Sequence, residues 1–352
     1  MSEQDYDWTY FKRRIYIANT TKKELFLKWA TSQGITEWFI ANAVYEYGDS
    51  QFRKSNEVIK AKDKYQWTFH NGSTVEGQIL EVQKNSLVKF TFGFKEPDLT
   101  EEIIVSVTFH EDNKGGWIDL LQENMATSKY GKVYSYISCN MGWVFHLNNL
   151  KSLIETGHDL RIKDNNRTHI DVPSRYPLER YDWTWFQLKE YVKASRTYIF
   201  KKWTTPKGIT EWYIAKAIYE DQKGKVRPPD EIVRPGDTYT WNFYQGITIT
   251  GKVLDVVENQ LFRFTFGKKE PGSEEDVIVT VTFDDQEEYT AITLKQENIA
   301  DNAYGHLRYN LSCIVGWSYF MINLRSISES GYDLREKNEQ IAKESRATTL
   351  KN

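Results

Sequence analysis

Histidine, cysteine and carboxylate are the side chains in this chain that could support acid–base or nucleophilic chemistry. The chain repeats itself, yet none of its six histidines has a histidine at the matching position of the other copy. An activity shared by both copies would therefore not use histidine, and scattered surface histidines are the expected explanation. No HExxH or CxxC spacing occurs, so the sequence predicts no metal and no cofactor.

Cysteine and three carboxylate pairs, by contrast, are repeated. Cys139 and Cys313 fall on the apolar face of a predicted helix without a nearby base, so we expect buried core thiols and not nucleophiles. The repeated carboxylates are Glu37 and Glu211, Glu46 and Glu220, and Glu123 and Glu297. Two carboxylates facing one cavity could perform acid–base catalysis, but solvated surface positions are the commoner role. We therefore expect no catalytic residue.

The repeat itself is long. GITEW at 34–38 recurs at 208–212 and QEN at 122–124 recurs at 296–298, both at a shift of 174 (212 − 38). YDWT at 6–9 recurs at 181–184, a shift of 175. Such a self-match predicts two copies of one domain and not a solenoid of short units.

The predicted organisation follows from the repeat and from local composition. We expect a first domain at 1–160, a polar linker at 161–180, a second domain at 181–335 and a polar tail at 336–352. The YDWT arm ahead of each copy is a candidate for latching one copy to the other.

Composition narrows the class of protein. A net charge of −3 argues against a nucleic-acid binder, which normally presents a basic face. No signal peptide is evident, and no stretch approaches the ~20 apolar residues of a membrane span. Two unpaired cysteines suit a reducing compartment, so we expect a cytoplasmic protein. Aromatic residues reach 15%, an excess that favours a large core or an apolar ligand cavity.

Each copy predicts the same order of elements. A strand at 13–18 precedes a helix capped by Thr21 with Glu24, or by Ser195 in the second copy, and a short helix at 35–40 follows. About six strands with alternating apolar residues come next, and then a helix from about Lys132 to Gly157. Gly142 is expected to let this helix approach the sheet closely.

The predicted site is the set of large side chains that share the inward face of the strands and of the last helix. Its members are Trp38, Trp67, Phe69, Phe90, Phe92, Gln122, Trp143 and Leu147, with Trp212, Trp241, Phe243, Phe264, Phe266, Gln296, Trp317 and Met321 in the second copy. A buried glutamine needs hydrogen-bond partners, which a ligand's polar end, trapped water or the backbone at the sheet rim could supply. The rings could either enclose a cavity or fill a core.

Several motifs support a family resemblance. A tryptophan ends the paired helices, and the second copy carries G-D-x-Y-x-W as Gly236, Asp237, Tyr239 and Trp241. The first copy has Lys62 in place of the glycine. A V-T-F strand at 107–109 and 281–283, a Q-E-N strand end and a Gly-Trp-x3-L-x2-L helix complete the set.

In this order and in duplicate, the motifs resemble SRPBCC (START-like, helix-grip) domains of the branch named after the activator of the heat-shock protein 90 ATPase. The resemblance implies an α+β fold in each copy: a curved antiparallel sheet of six to seven strands around a long C-terminal helix, with two short helices after the first strand. The tandem copy and the YDWT arms depart from the eukaryotic co-chaperone, which pairs this domain with a different module.

These observations predict a non-enzymatic protein that binds an apolar or aromatic small molecule between sheet and helix. The alternative is a protein-interaction role of the co-chaperone kind, with a chaperone or another protein as partner. A cyclase- or aromatase-like enzyme is the third hypothesis, and it would need a polar group deep in one cavity.

Overall fold

The computed structural model describes residues 6–93, 101–163, 181–267 and 275–337. These residues separate into two compact units, one for each copy of the repeat. Within the described ranges, no helix combines the length and the apolar character that a membrane span requires.

The first copy is an eight-stranded antiparallel sheet with three helices. Its elements are β1 (Phe11–Ala18), α1 (Lys22–Ala30), α2 (Ser32–Trp38), β2 (Asn42–Tyr47), β3 (Gln51–Phe52), β4 (Lys64–Thr68), β5 (Thr74–Gln83), β6 (Leu87–Thr91), β7 (Ile104–Glu111), β8 (Gly115–Glu123) and α3 (Ser138–Thr156). The strand order is β1-β8-β7-β6-β5-β4-β2-β3, so the first strand lies at one edge beside the last.

The second copy repeats this plan without the short third strand. Its elements are β9 (Phe186–Val192), α4 (Arg196–Thr204), α5 (Pro206–Trp212), β10 (Lys216–Glu220), β11 (Thr238–Asn242), β12 (Thr248–Val257), β13 (Leu261–Thr265), β14 (Ile278–Gln286), β15 (Tyr289–Glu297) and α6 (Ser312–Ser330). Its seven strands run in the order β10-β11-β12-β13-β14-β15-β9. The predicted α+β architecture is confirmed in both copies.

The paired short helices owe their geometry to caps and to one glycine. Thr21 and Glu24 form the predicted capping box at the start of α1. Thr31 caps α2 by accepting a hydrogen bond from the Gly34 amide, so α2 begins at Ser32 and not at the predicted residue 35. A side chain at Gly34 would collide with the Leu27 carbonyl, only 2.1 Å from where its Cβ would stand. This contact explains the glycine in both GITEW runs.

The last helix of each copy starts as a π-helical segment, Gly131–Ile137 or Gly305–Leu311, and continues as an α-helix. Gly157 and Gly331 end α3 and α6 with φ of 76° and 75°, a conformation that favours glycine. The prediction for Gly142 was wrong. A Cβ at this position would meet nothing within 4 Å, so its small size serves no close approach to the sheet.

The first copy extends past its predicted boundary at residue 160. Arg161, assigned by composition to the linker, is buried and donates to the backbone carbonyls of Thr36, Glu37 and Ile40. Leu160 is also buried, and its amide donates to Asn149 on α3. The composition of this segment is polar, but the Arg161 side chain is satisfied inside the fold by these carbonyls and by an ion pair with Asp159. The rest of the predicted linker, 164–180, lies outside the described residues.

Candidate functional site

The predicted site residues of the first copy come together between the sheet and α3. Trp67 and Phe90 project from β4 and β6, and their ring centroids lie 5.3 Å apart. Trp143 reaches them from α3, with its ring 5.2 Å from that of Phe92. Trp67, Phe90 and Trp143 are each no more than 2% exposed. Two periods, 2.0 along the strands and 3.6 along the helix, place these rings on facing surfaces.

Two aromatic residues outside the predicted set complete the cluster. Trp29 on α1 stacks on Trp143 at 5.7 Å, and Phe39 stacks on the same indole at 5.1 Å with an interplanar angle of 18°. Both residues have aromatic counterparts at the shift of 174, Trp203 and Tyr213. An aromatic residue at the same position of both copies is the sequence signal that identifies Trp29 and Phe39. The helix period alone predicts their secondary structure and not their contact with Trp143.

The buried glutamine of each copy has a partner within its own domain. Trp143 Nε1 donates to Gln122 Oε1 at 2.8 Å, and Trp317 Nε1 donates to Gln296 Oε1 at 3.0 Å. Gln296 Nε2 donates to the Tyr309 carbonyl at 2.9 Å. This indole–amide pair holds the C-terminal helix to the end of the last strand. The glutamines therefore have partners in the fold that do not depend on a ligand.

The second copy reproduces the cluster. Trp241 lies 5.3 Å from Phe264, and Trp317 stacks on Tyr213 at 4.8 Å. The remaining predicted residues divide by exposure. Trp38, Leu147, Trp212, Phe266 and Met321 are buried, whereas Phe69, Phe92 and Phe243 are half-buried. Their predicted role in ligand binding stays a prediction, although their proximity to one another is established.

Tyr213 adds a hydroxyl to the ring cluster of the second copy. Its side chain is 3% exposed, and its hydroxyl makes no hydrogen bond with the described residues. Burial raises the pKa of Tyr213 well above its ordinary value, so the hydroxyl stays protonated at neutral pH. The first copy has Phe39 at this position, so this hydroxyl belongs to one copy alone.

The motif residues that support the resemblance act structurally. Asp63 is buried and forms a bidentate ion pair with Arg53, at 2.7 and 2.9 Å. Tyr65 donates to the Thr91 carbonyl, and Trp67 Nε1 donates to the Tyr45 hydroxyl. These bonds tie β4 to β2 on one side and, across β5, to β6 on the other. The motif residues thus contribute to the stability of the fold.

Four of the six candidate catalytic carboxylates are paired with lysine. Glu37 on α2 pairs with Lys28 on α1, and Glu211 on α5 pairs with Lys202 on α4. The QEN glutamates, Glu123 and Glu297, pair with Lys89 and Lys295. Glu46 is half-buried, and Glu220 is exposed. Among the described residues, no three metal-ligating side chains cluster.

The cysteine prediction was wrong on burial. Cys139 and Cys313 are half-buried thiols at the start of the C-terminal helices and not members of the core. The buried face of α3 contains the neighbouring residues Asn140 and Met141 instead. Both thiols lie in the first turn of the α-helix, directly after the π-helical segment, and each Sγ approaches the carbonyl five residues earlier, that of Tyr134 or of Arg308.

His146 on α3 is half-buried, and so is His306 in the second copy. Burial lowers the pKa of His146 to about 3, and its Nδ1 atom is without a hydrogen-bond partner in the described structure. Its ring packs edge-on against Phe39, 4.6 Å between centroids. A neutral imidazole at this position behaves as a packing residue.

Two surface clefts are also present in the described residues. One of 420 Å³ is lined by Phe26, Leu27 and Ile59 together with lysines, and one of 360 Å³ lies at the start of α4 beside Asp285. Neither contains a residue of the predicted site.

Each aromatic arm packs on the helix of its own copy. The Tyr6 hydroxyl is 2.6 Å from the Tyr136 hydroxyl, and the Trp8 ring lies 5.1 Å from the Tyr136 ring. In the second copy, Tyr181 donates to Asn310, and Trp183 stacks on His306. The arms therefore close one end of the helix–sheet interface within a copy.

Comparison with known families identifies the class of protein. The family described as "Activator of Hsp90 ATPase homolog 1-like protein" matches residues 19–155 and again 193–329, which together make up most of the chain. The chain belongs to this family, and it carries the family domain twice. No curated protein matches the sequence.

Solved structures with similar folds include the Aha1 dimer from Colwellia psychrerythraea, 18% identical, covering 42% of this chain and 97% of that one with a TM-score of 0.35. DynU16, from the dynemicin biosynthetic locus, is 10% identical over 91% of this chain and 99% of its own, with a TM-score of 0.33. CalU16 from Micromonospora echinospora is 14% identical, over 47% and 86% of the two chains, with a TM-score of 0.32.

Proposed function

We propose that this chain is a non-enzymatic, cytoplasmic binding protein that acts on a protein partner through its exterior. The observation that carries the proposal is the packing of both interiors. Trp143 and Trp317 are each in ring contact with three neighbours and hydrogen-bonded to a glutamine of their own domain. Rings at these spacings fill the region in which a carrier would hold its ligand.

A repeated exposed apolar residue supports a surface role. Phe52 is 59% exposed, and Val226, at the matching position of the second copy, is 55% exposed. Each neighbours the arginine of the buried ion pair, Arg53 or Arg227, which fixes the local backbone. Exposed apolar residues that recur at one position are typical of contact sites, because interfaces favour apolar anchors.

The family description makes a heat-shock protein 90 the first partner to test. The experiment measures ATP hydrolysis by the chaperone of the same organism with and without the full chain. We expect stimulation that is lost in the double variant Phe52→Ser/Val226→Ser. The matched control is Val257→Ser, an exposed apolar residue whose counterpart in the first copy is Gln83. Absence of both stimulation and binding would contradict this partner.

An apolar ligand within one copy is a second candidate, favoured by a separate observation. Phe69, Phe92 and Phe243 are half-buried, and the Tyr213 hydroxyl has no partner among the described residues. A ligand entering beside these rings could accept a hydrogen bond from Tyr213. Uptake of a fluorescent apolar probe that is weakened by Tyr213→Phe in a folded protein would support this candidate. Equal uptake by both proteins would exclude Tyr213 from the site.

A further inference from the structure

The first copy contains a buried positive charge that has no carboxylate partner within the described part of the chain. Arg13 lies on the inward face of β1 with Phe11 and Ile15 and is only 8% exposed. Its Nε atom donates to the Asn140 side-chain oxygen on α3 at 2.6 Å. The two Nη groups make no hydrogen bond or ion pair with the described residues.

Among the described residues, two tyrosine hydroxyls and no ionised side chain contribute to the electrostatics of Arg13. Burial lowers the pKa of Arg13 to about 10, and the hydroxyls of Tyr136 and Tyr6 oppose this effect only in part. Arg14, which points to the other face, forms a bidentate pair with Asp119 at 2.6 and 2.7 Å. On this strand, the half-buried Arg14 is therefore paired with a carboxylate, whereas the buried Arg13 is hydrogen-bonded to a neutral amide.

A guanidinium largely removed from water without a counter-charge is disfavoured, and the hydrogen bond to Asn140 is its only side-chain partner among the described residues. The second copy shows that the fold does not need this charge. Leu188 occupies the position of Arg13, and Ile314 occupies that of Asn140; both are buried. The arginine–asparagine pair is thus an addition to one copy of a duplicated domain.

We propose that the first copy binds a small carboxylate against the Nη groups of Arg13, beneath the aromatic arm. The planar fork of a guanidinium matches the two oxygens of a carboxylate, and Asn140 fixes its orientation through Nε. One positive charge among neutral groups balances a monoanion, whereas a phosphate dianion would leave a net negative charge buried. The body of the ligand would be apolar, because Phe11, Trp8 and Tyr136 form the adjoining ring cluster.

The test uses the full chain and sodium benzoate, with hydrogen–deuterium exchange resolved by segment at constant ionic strength. We expect benzoate to slow exchange in β1 and in the helix of the first copy, and in neither matching segment of the second. Acetate tests the carboxylate without a ring, and phosphate tests the dianion. Arg13→Leu, which introduces the residue type of the second copy, should weaken benzoate binding by about ten- to a hundredfold.

Two variants make the outcome specific to Arg13. Lys12→Leu removes an exposed charge from the same strand and should leave the benzoate response intact. Arg13→Lys keeps the positive charge but lacks the planar guanidinium. It should therefore give a benzoate response between those of the wild-type protein and Arg13→Leu. A benzoate effect equal to that of sodium chloride, or one unchanged in Arg13→Leu, overturns the proposal. Stronger protection by phosphate than by either carboxylate overturns the assigned ligand class. The chaperone assay above is independent of all these results.

Discussion

A buried acidic cluster in the second copy makes its stability depend on pH in a direction that can be measured. Glu190 on β9 and Glu329 on α6 both contact Arg325, at 3.3 and 3.1 Å. The three side chains are 1%, 9% and 3% exposed. If all three are ionised, one negative charge is in excess, and Glu190 Oε2 has no hydrogen-bond partner. Burial therefore raises the pKa of Glu190 to about 8.

The sign follows from linkage. The folded protein holds the Glu190 proton more tightly than the unfolded chain, whose glutamates titrate near 4.5. This contribution to the free energy of unfolding is complete below pH 4.5 and is lost as the pH rises towards 8. At about 1.4 kcal/mol for each pH unit, the full change is at most about 5 kcal/mol. Glu190→Gln removes the titrating group and should flatten the dependence.

The assay is hydrogen–deuterium exchange between pH 5.5 and 8, corrected for the intrinsic exchange rate. We expect β9 and α6 to lose protection as the pH rises in the wild-type protein and to lose much less in Glu190→Gln. The first copy is the internal control, because Ile15 and Lys151 stand where the second has Glu190 and Arg325. A variant that retains the wild-type pH slope in β9 would refute the reasoning, as would a wild-type β9 that gains protection towards pH 8.

Further predictions concern the core and the helix ends. Gln122→Leu should lower the free energy of unfolding of the first copy by about 1–3 kcal/mol in urea titrations, because the Trp143 indole N–H loses its buried partner. An unchanged midpoint would contradict that role. Gly34→Ala should destabilise the first copy strongly, whereas Gly142→Ala should be neutral or stabilising by up to about 1 kcal/mol, as judged by thermal melting. Equal effects of the two substitutions would count against the packing described. Thr21→Ala should cost about 1 kcal/mol through loss of the cap, and a shift in melting temperature checks it.

Residue periodicity in the sequence was sufficient to predict most of the aromatic cluster. Alternation along the strands placed Trp67 and Phe90 on one face, and the helix period added Trp143. The hydrogen-bond partner of Gln122 could not be predicted from the sequence, because it depends on where α3 crosses the end of β8. Arg161 was missed for the same reason: its carbonyl partners at the end of α2 are about 120 residues away in sequence.

The amino-acid order alone determined the duplication, the α+β class and the capped helix pairs, since these rest on local periods and on residues a few positions apart. Tertiary structure decided which polar groups are satisfied inside each copy. In the packed structure, Trp143 is hydrogen-bonded to Gln122, Cys139 is half-buried and Arg13 is hydrogen-bonded to a neutral amide. Such outcomes depend on the distance between elements far apart in the chain, which no local pattern records.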